Sequence, residues 1–354
     1  MTHQAEIIDS PDESFSKLNM LDFISSKEIE KKISKSHAKK IPYDLYIRLS
    51  PQKFVRIVNK NQEIPVERFR NYYEKGALFV YMKKEDFQNY LGINLCLTEK
   101  ISENKLVPQE KKLILLKHTG EIILDCLYTN EIDQTALESA KTMVETATHI
   151  LSDSSAAFEL LKALNEYTDH LYAHCVAVSF YSTLIARQLQ WNAPVTLTKI
   201  TIAGLLHDIG KKDIPRTIID KPRFNMSVEE IKIYETHPIT GMQILSKLEA
   251  VPEEILQIVM QHHEDCTGHG YPHGLKKGQI HPLARLIAVS DKFAEFVVKG
   301  PESQGMTPEN AFLEILNLYR DLLDTTFLYA LMQVFGFEPP KKYIQLREEW
   351  EEEE

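Results

Sequence analysis

Hydrophobic and polar positions follow two different periods along the chain. Between residues 43 and 90 the period is short. Leu45, Ile47 and Leu49 alternate with Tyr46 and Arg48, and a second apolar run follows Ser50-Pro51 over residues 54–58. Asn59-Lys60-Asn61-Gln62 then reads as a turn, which predicts a β-hairpin with one buried face. Short helices are predicted over residues 65–72 and 84–90, around a strand at 78–81. Residues before about 20 read as a loose lead-in, and residues 112–115 as strand-like. The charged run 27–40 reads as a solvated helix face. Tyr43, Tyr46, Phe54, Tyr72 and Tyr73 read as hairpin core. The sum is a small α+β domain over residues 1–125.

From about Asp133 the period becomes helical, with long Ala, Leu, Glu and Lys stretches and few breakers. Helices are predicted over 131–151, 154–167, 170–190 and 196–209, the last stopping at Gly210. Ser227 caps a helix over 227–236, with Glu229 and Glu230 in the first turn, where unsatisfied N–H groups favour negative charge. Further helices follow over 239–248, 253–263, 282–298 and 308–334. The second domain, residues 126–354, is therefore all-helical and ends in an acidic, solvated tail. The fold class is α+β.

Composition narrows the function. Of 354 residues, 43% are apolar and 26% charged, enough for buried cores. The formal net charge of −10 argues against a DNA or RNA binder. It does not exclude an anionic nucleotide, because bound metal ions dominate the local field. The four cysteines form no CxxC pair and read as reduced thiols. The acidic N-terminus lacks a signal-peptide pattern, and no apolar run reaches the roughly 18 residues of a membrane span. A cytoplasmic location is expected.

Candidate chemistry is concentrated in the helical part. His207 and Asp208 lie in LLHDIGKKDIP, at the end of an apolar helix, with Lys211 beside them. His262 and His263 are adjacent, Asp291 lies in the apolar stretch AVSDKFAEF, and His174 and His237 fall on separate predicted helices. Imidazole and carboxylate ligands suit Fe, Mn, Co, Ni or Zn, and helices of a bundle can bring them to one cavity.

The ordered elements HDIGKKDIP, KPRFN, HPITG, HHEDCTGHGYP and HPLARLIAVSD begin at 207, 221, 237, 262 and 281. With the upstream YAHCVAV, they resemble the HD-GYP family of the HD metal-dependent phosphohydrolase superfamily over about residues 167–295. The resemblance implies two divalent metal ions, iron first and manganese second. His207 and Asp208 would be ligands, and the Asp208 carboxylate would bridge the ions. His174 and Asp291 would complete one ion's shell, and His237, His262 and His263 the other's. It further implies hydrolysis of cyclic di-GMP to pGpG and/or GMP by a hydroxide bridging the metals, with Asp208 and Lys211 catalytic. Lys211 and Tyr271 would meet the substrate, Tyr271 either touching it or packing the GYP loop.

Some relatives place a third-metal glutamate four residues before the first histidine. His170 occupies that position here, as a third-metal ligand, a second-layer donor or a solvent-facing residue. The chain departs from the family after Asp291. The usual Arg-x-Tyr-Arg/Lys element, which grips phosphate, is missing, and no arginine occurs between Asp291 and Arg320. Lys299 is the candidate replacement. Residues 1–125 show no catalytic or cofactor constellation and suggest a regulatory or interaction role. The competing class is a weakly active or inactive signalling adaptor. It would keep the metal site and bind a protein partner, through the GYP loop or the N-terminal domain, or a nucleotide.

Overall fold

The computed structural model describes residues 7–9, 14–33, 40–104, 107–129, 134–150, 169–249 and 251–340. The chain divides into two compact units, Met1–Cys126 and Leu127–Glu354. The predicted helix over 154–167, the acidic tail and residues 34–39 of the charged run lie outside the described residues.

The first unit holds a five-stranded antiparallel sheet. Its strands are β1 (Ile7–Asp9), β2 (Phe15–Asn19), β3 (Leu45–Ser50), β4 (Lys53–Val58) and β5 (Phe79–Lys83), in the order β1-β4-β3-β5-β2. The predicted hairpin is β3–β4. Its buried face is not the Leu45, Ile47 and Leu49 side as a whole, since Leu49 is exposed; Tyr46 and Phe54 on the opposite face join a cluster with Phe15 and Tyr81, and the Phe15 and Phe54 rings stack 4.0 Å apart. Tyr43 is also buried, whereas Tyr72 and Tyr73 are half-buried on the helix Val66–Glu74.

Four local expectations fail, each for a tertiary reason. The lead-in contains β2, which pairs with β5 over its whole length and leads into the helix Met20–Ile33. The short helix at 84 continues to Ser102, because Gly92 sits in open space while Phe87, Leu91 and Leu95 bury one face. The strand-like run at 112–115 lies inside the helix Gln109–Thr129, where Leu113, Leu115 and Leu116 are buried. Lys27, expected in solvent, is buried. It pairs with Glu30 at 2.9 Å and lies over the Tyr90 ring.

The second unit is helical. At its centre the helix His170–Gln188 is buried almost all round. It packs on the helix Pro194–Leu206, where Ser179 Oγ donates to the Thr201 carbonyl at 2.8 Å. The helices Val228–Tyr234, His237–Leu245, Glu253–Gln261 and Pro282–Val297 follow. The Ser227 cap is a full capping box: Glu230 N–H donates to Ser227 Oγ, and Ser227 N–H donates to the Glu230 carboxylate. The expected helix over 308–334 is two helices, Pro308–Leu318 and Thr325–Val334. Asp324 breaks the run. It caps Thr326 and forms an ion pair with Arg285. Among the described residues, no helix is long and apolar enough to cross a membrane.

Candidate metal centre

His207 and Asp208 follow the end of the helix Pro194–Leu206, which stops three residues earlier than expected and tightens into a 3-10 turn, Ile209–Asp213. The tightening turns both side chains inward. Gly210 permits it, since a methyl group there would overlap the His237 carbonyl oxygen and press on the Gly241 nitrogen. This close approach brings the helix His237–Leu245 against the His-Asp pair.

Seven predicted residues converge in two groups. Asp208, His237, His262 and His263 offer ligand atoms all within 4.8 Å of one another, and so do His174, His207 and Asp291. Asp208 faces both. Its Oδ1 lies 3.2 Å from His237 Nε2 and 3.8 Å from His262 Nε2, while its Oδ2 lies 3.4 Å from His207 Nε2 and 3.7 Å from His174 Nε2. Asp291 Oδ1 lies 2.8 Å from His174 Nε2, and its Oδ2 lies 3.6 Å from His263 Nδ1.

Hydrogen bonding fixes the imidazole tautomers. Nδ1 of His207, His237 and His262 lies 2.6–2.7 Å from the carbonyls of Gly204, Tyr234 and Val259, three residues earlier in each case. A carbonyl only accepts, so each Nδ1 carries a proton and each ring turns its Nε2 inward; burial keeps His237 and His262 toward the neutral form, with a lone pair there, whereas at His207 the carboxylates of Asp208 and Asp291 outweigh burial and raise the ring to about 10. His237 and His262 Nε2 then face each other at 3.3 Å, as do His174 and His207 Nε2. Asp208 Oδ1 and His263 Nε2 are buried without a hydrogen bond. Lone pairs crowded this way fit cations between them. The two groups suit a di- or tri-metal site.

Electrostatics agree. Burial opposes the charged form of Asp208, but Lys211 and His207 outweigh it and hold the carboxyl well below the usual carboxylate range. Burial likewise opposes the Lys211 ammonium. The Asp208 carboxylate, whose Oδ2 accepts its proton at 2.6 Å, holds it well above the usual lysine value. Burial pulls His237 down to about 4, in the neutral form a metal ligand needs.

A cavity of about 60 Å³ opens beside this centre, lined by His170, His174, Asp208, Lys211, Tyr234 and Lys299 among others. Of the two lysines between Asp291 and Arg320, Lys299 lines it, whereas Lys292 is ion-paired with Glu295. His170 shares the cavity wall with His174, one turn away, and its Nε2 lies 3.6 Å from Asp220 Oδ1. It stands outside both ligand groups. Tyr271, expected at the substrate, does not line the cavity. Its ring stacks on His263 at 4.7 Å and an interplanar angle of 28°.

The GYP loop is pinned. Buried Glu264 accepts the N–H groups of His273 and Leu275 at 2.6 and 2.7 Å, and Asp265 accepts those of Thr267, Gly268 and His269. Gly270 lets the loop fold tightly on itself, because a methyl group there would meet the Glu264 backbone.

Sequence reasoning missed Tyr234, Glu295 and Glu302, which also line the cavity. Only Tyr234 had a signal: it stands three residues before His237, whose ring proton its carbonyl accepts. A third His/carboxylate group, Asp22, His118 and Glu121, lies in the first unit, where no constellation was expected. There the Lys117 ammonium, 3.4 Å from Asp22 Oδ1, already supplies a positive charge.

Residues 158–327 match the HD domain family model. A cyclic di-GMP phosphodiesterase of Pseudomonas aeruginosa is 31% identical over 204 residues, 57% of this chain and 48% of that protein. One from Thermotoga maritima is 34% identical over 178 residues, 50% of this chain and 48% of that protein. A 3'3'-cGAMP-specific phosphodiesterase of Vibrio cholerae is 28% identical over 185 residues, 52% of this chain and 39% of that protein. The chain spans about half the length of the curated relatives it matches. Among solved structures, an HDG"Y"P protein from Bdellovibrio bacteriovorus has the same fold, with a TM-score of 0.68 at 18% identity, covering 90% of this chain and 99% of that chain.

Proposed function

The helical unit of this chain is an HD domain of the HD-GYP type, and from that premise we propose that the chain hydrolyses a phosphodiester bond of a cyclic dinucleotide, cyclic di-GMP first. One observation carries the reading: Asp208 turns one carboxylate oxygen to each of two ligand groups. In this reading His174, His207 and Asp291 would hold one divalent ion, His237, His262 and His263 would hold another, and Asp208 would contribute to both. Iron is the first candidate and manganese the second. Bound ions would supply Lewis-acid activation of water and neutralise charge at phosphorus.

The chain's own residues do the rest. Backbone carbonyls orient three of the imidazoles, and Tyr271 fixes a fourth by stacking on His263. Lys211 keeps its proton, so it serves as a fixed positive charge toward the phosphate and not as a base. Its contact with Asp208 aims the ammonium at the cavity. Lys299 adds a second cationic residue on the cavity wall. His170, beside Asp220, is the place for a third ion.

The adaptor reading rests on the rim. Glu295 and Glu302 line the cavity, and Lys221, which also lines it, is paired with Glu230 at 2.5 Å. These carboxylates repel phosphate and offset the lysines. The test is anaerobic loading with iron or manganese, followed by assay of cyclic di-GMP with Asp208→Ala as control. Formation of pGpG or GMP by the parent alone supports the hydrolase. Two or more bound ions per chain without product would sink it and favour the adaptor. Metal analysis on the same samples separates two ions from three.

A further inference from the structure

The cavity beside Asp208 and Lys211, at about 60 Å³, holds roughly two waters' worth of volume. That is the scale of one phosphate group, not of a dinucleotide. If the proposed reaction occurs here, the nucleobases lie outside, on the rim.

One part of that rim is built in an unusual way. Lys221 lines the cavity and is tied to Glu230. Two residues on, Arg223 N–H donates at 2.6 Å to Glu302, which lines the cavity too. The Arg223 guanidinium is ion-paired with Glu235 and lies over two rings, 5.3 Å from Tyr271 and 5.9 Å from Tyr234. Met226 packs on Ile214, Ile218 and Ile219, and Ser227 begins the capping box. The turn is thus fastened along its length, yet the residue at its crest, Phe224, is 82% exposed. It is the most exposed large hydrophobic among the described residues. Burial of its apolar surface ordinarily draws such a ring into a core, and this turn instead holds it in water, next to Arg223, whose N–H binds the cavity-lining Glu302.

We infer that Phe224 is a stacking platform for a nucleobase of the substrate whose phosphate enters the cavity. The inference rests on the proposed reaction and adds where the base is held. Every base has a π-face, so an aromatic platform binds nucleotides without choosing among bases. Phe224 therefore selects nucleotides over simple phosphoesters, and guanine and adenine dinucleotides both fit it.

The test uses the metal-loaded full chain. Phe224→Ala raises KM for cyclic di-GMP about 5–150-fold, the range base–aromatic stacking gives on alanine substitution, and Phe224→Trp restores it. The tryptophan of that variant reports directly: its added fluorescence is quenched by cyclic di-GMP and not by dimethyl phosphate, which has no base. A KM for Phe224→Ala within twofold of the parent, or equal response to both probes, overturns the platform. Quenching by cyclic di-GMP without turnover by the parent protein would overturn the hydrolase reading and leave the platform standing. Neither turnover nor quenching would overturn both.

Discussion

At the scale of single residues, Lys211 and His118 are two buried groups with opposite fates. Lys211 stays charged because the Asp208 carboxylate outweighs its burial. Replacing it by methionine keeps the volume and removes the charge. Lys211→Met is expected to lower kcat about 10²–10³-fold, the effect of losing one preorganised donor at a reacting centre. Metal analysis of the same protein should show unchanged ion content, and loss of the ions would refute a role confined to charge. His118 lies in the first unit, bonded to Tyr90 at 2.7 Å. Burial, with Lys27 and Lys117 adding to it, pulls it down to about 3. The unfolded chain takes up a proton near pH 6.5 that the folded chain refuses. Stability therefore falls as pH drops from about 6.5 toward 3, by up to about 1.4 kcal/mol per pH unit. Urea midpoints between pH 7.5 and 4.5 should fall less steeply in His118→Gln than in the parent.

At the scale of elements, the contact between the 3-10 turn Ile209–Asp213 and the helix His237–Leu245 sets the spacing of the ligand groups. Gly210→Ala forces backbone against backbone, with no side chain able to yield. The expected loss is about 1–3 kcal/mol, as for other overpacked sites, together with lower metal content, because His237 moves with its helix. A variant with parental midpoint and parental metal content would show that the contact is not critical. The sequence displayed this site unevenly. His174, His207, Asp208, His237, His262, His263 and Asp291 were readable because ligand chemistry fixes residue type and order. Tyr234, Glu295 and Glu302 were not, since a residue on a cavity wall obeys only the shape of the cavity. Tyr271 was readable as important, but its contact with His263 depends on how the pinned loop folds back. In the first unit, β2 was invisible because a five-residue strand gains its identity from pairing with β5, not from its own pattern. The run at 112–115 misled in the other direction, its local apolar stretch being absorbed into a 21-residue helix.

At the scale of the whole molecule, only the Leu127–Glu354 unit contains both ligand groups. Each ion bound at a hundredfold excess over its Kd stabilises that unit by about 2.7 kcal/mol. For a unit of this size that corresponds to roughly 5–10 °C in Tm. Calorimetry with and without chelator should show the helical transition moving by that amount and the transition of Met1–Cys126 staying fixed. Movement of both by the same amount would contradict this assignment. The three ring protons given to backbone carbonyls carry a further consequence. Gly204, Tyr234 and Val259 each lie in the last turn of a helix, among the carbonyls that no helical N–H can reach. Three helices thus end toward one point, and the negative pole of each macrodipole is directed there. The helix His237–Leu245 begins at the same point with its positive pole, so the helix ends offset one another in part and the carboxylates of Asp208 and Asp291 supply most of the attraction for cations. Replacing either acid would therefore remove a large share of it.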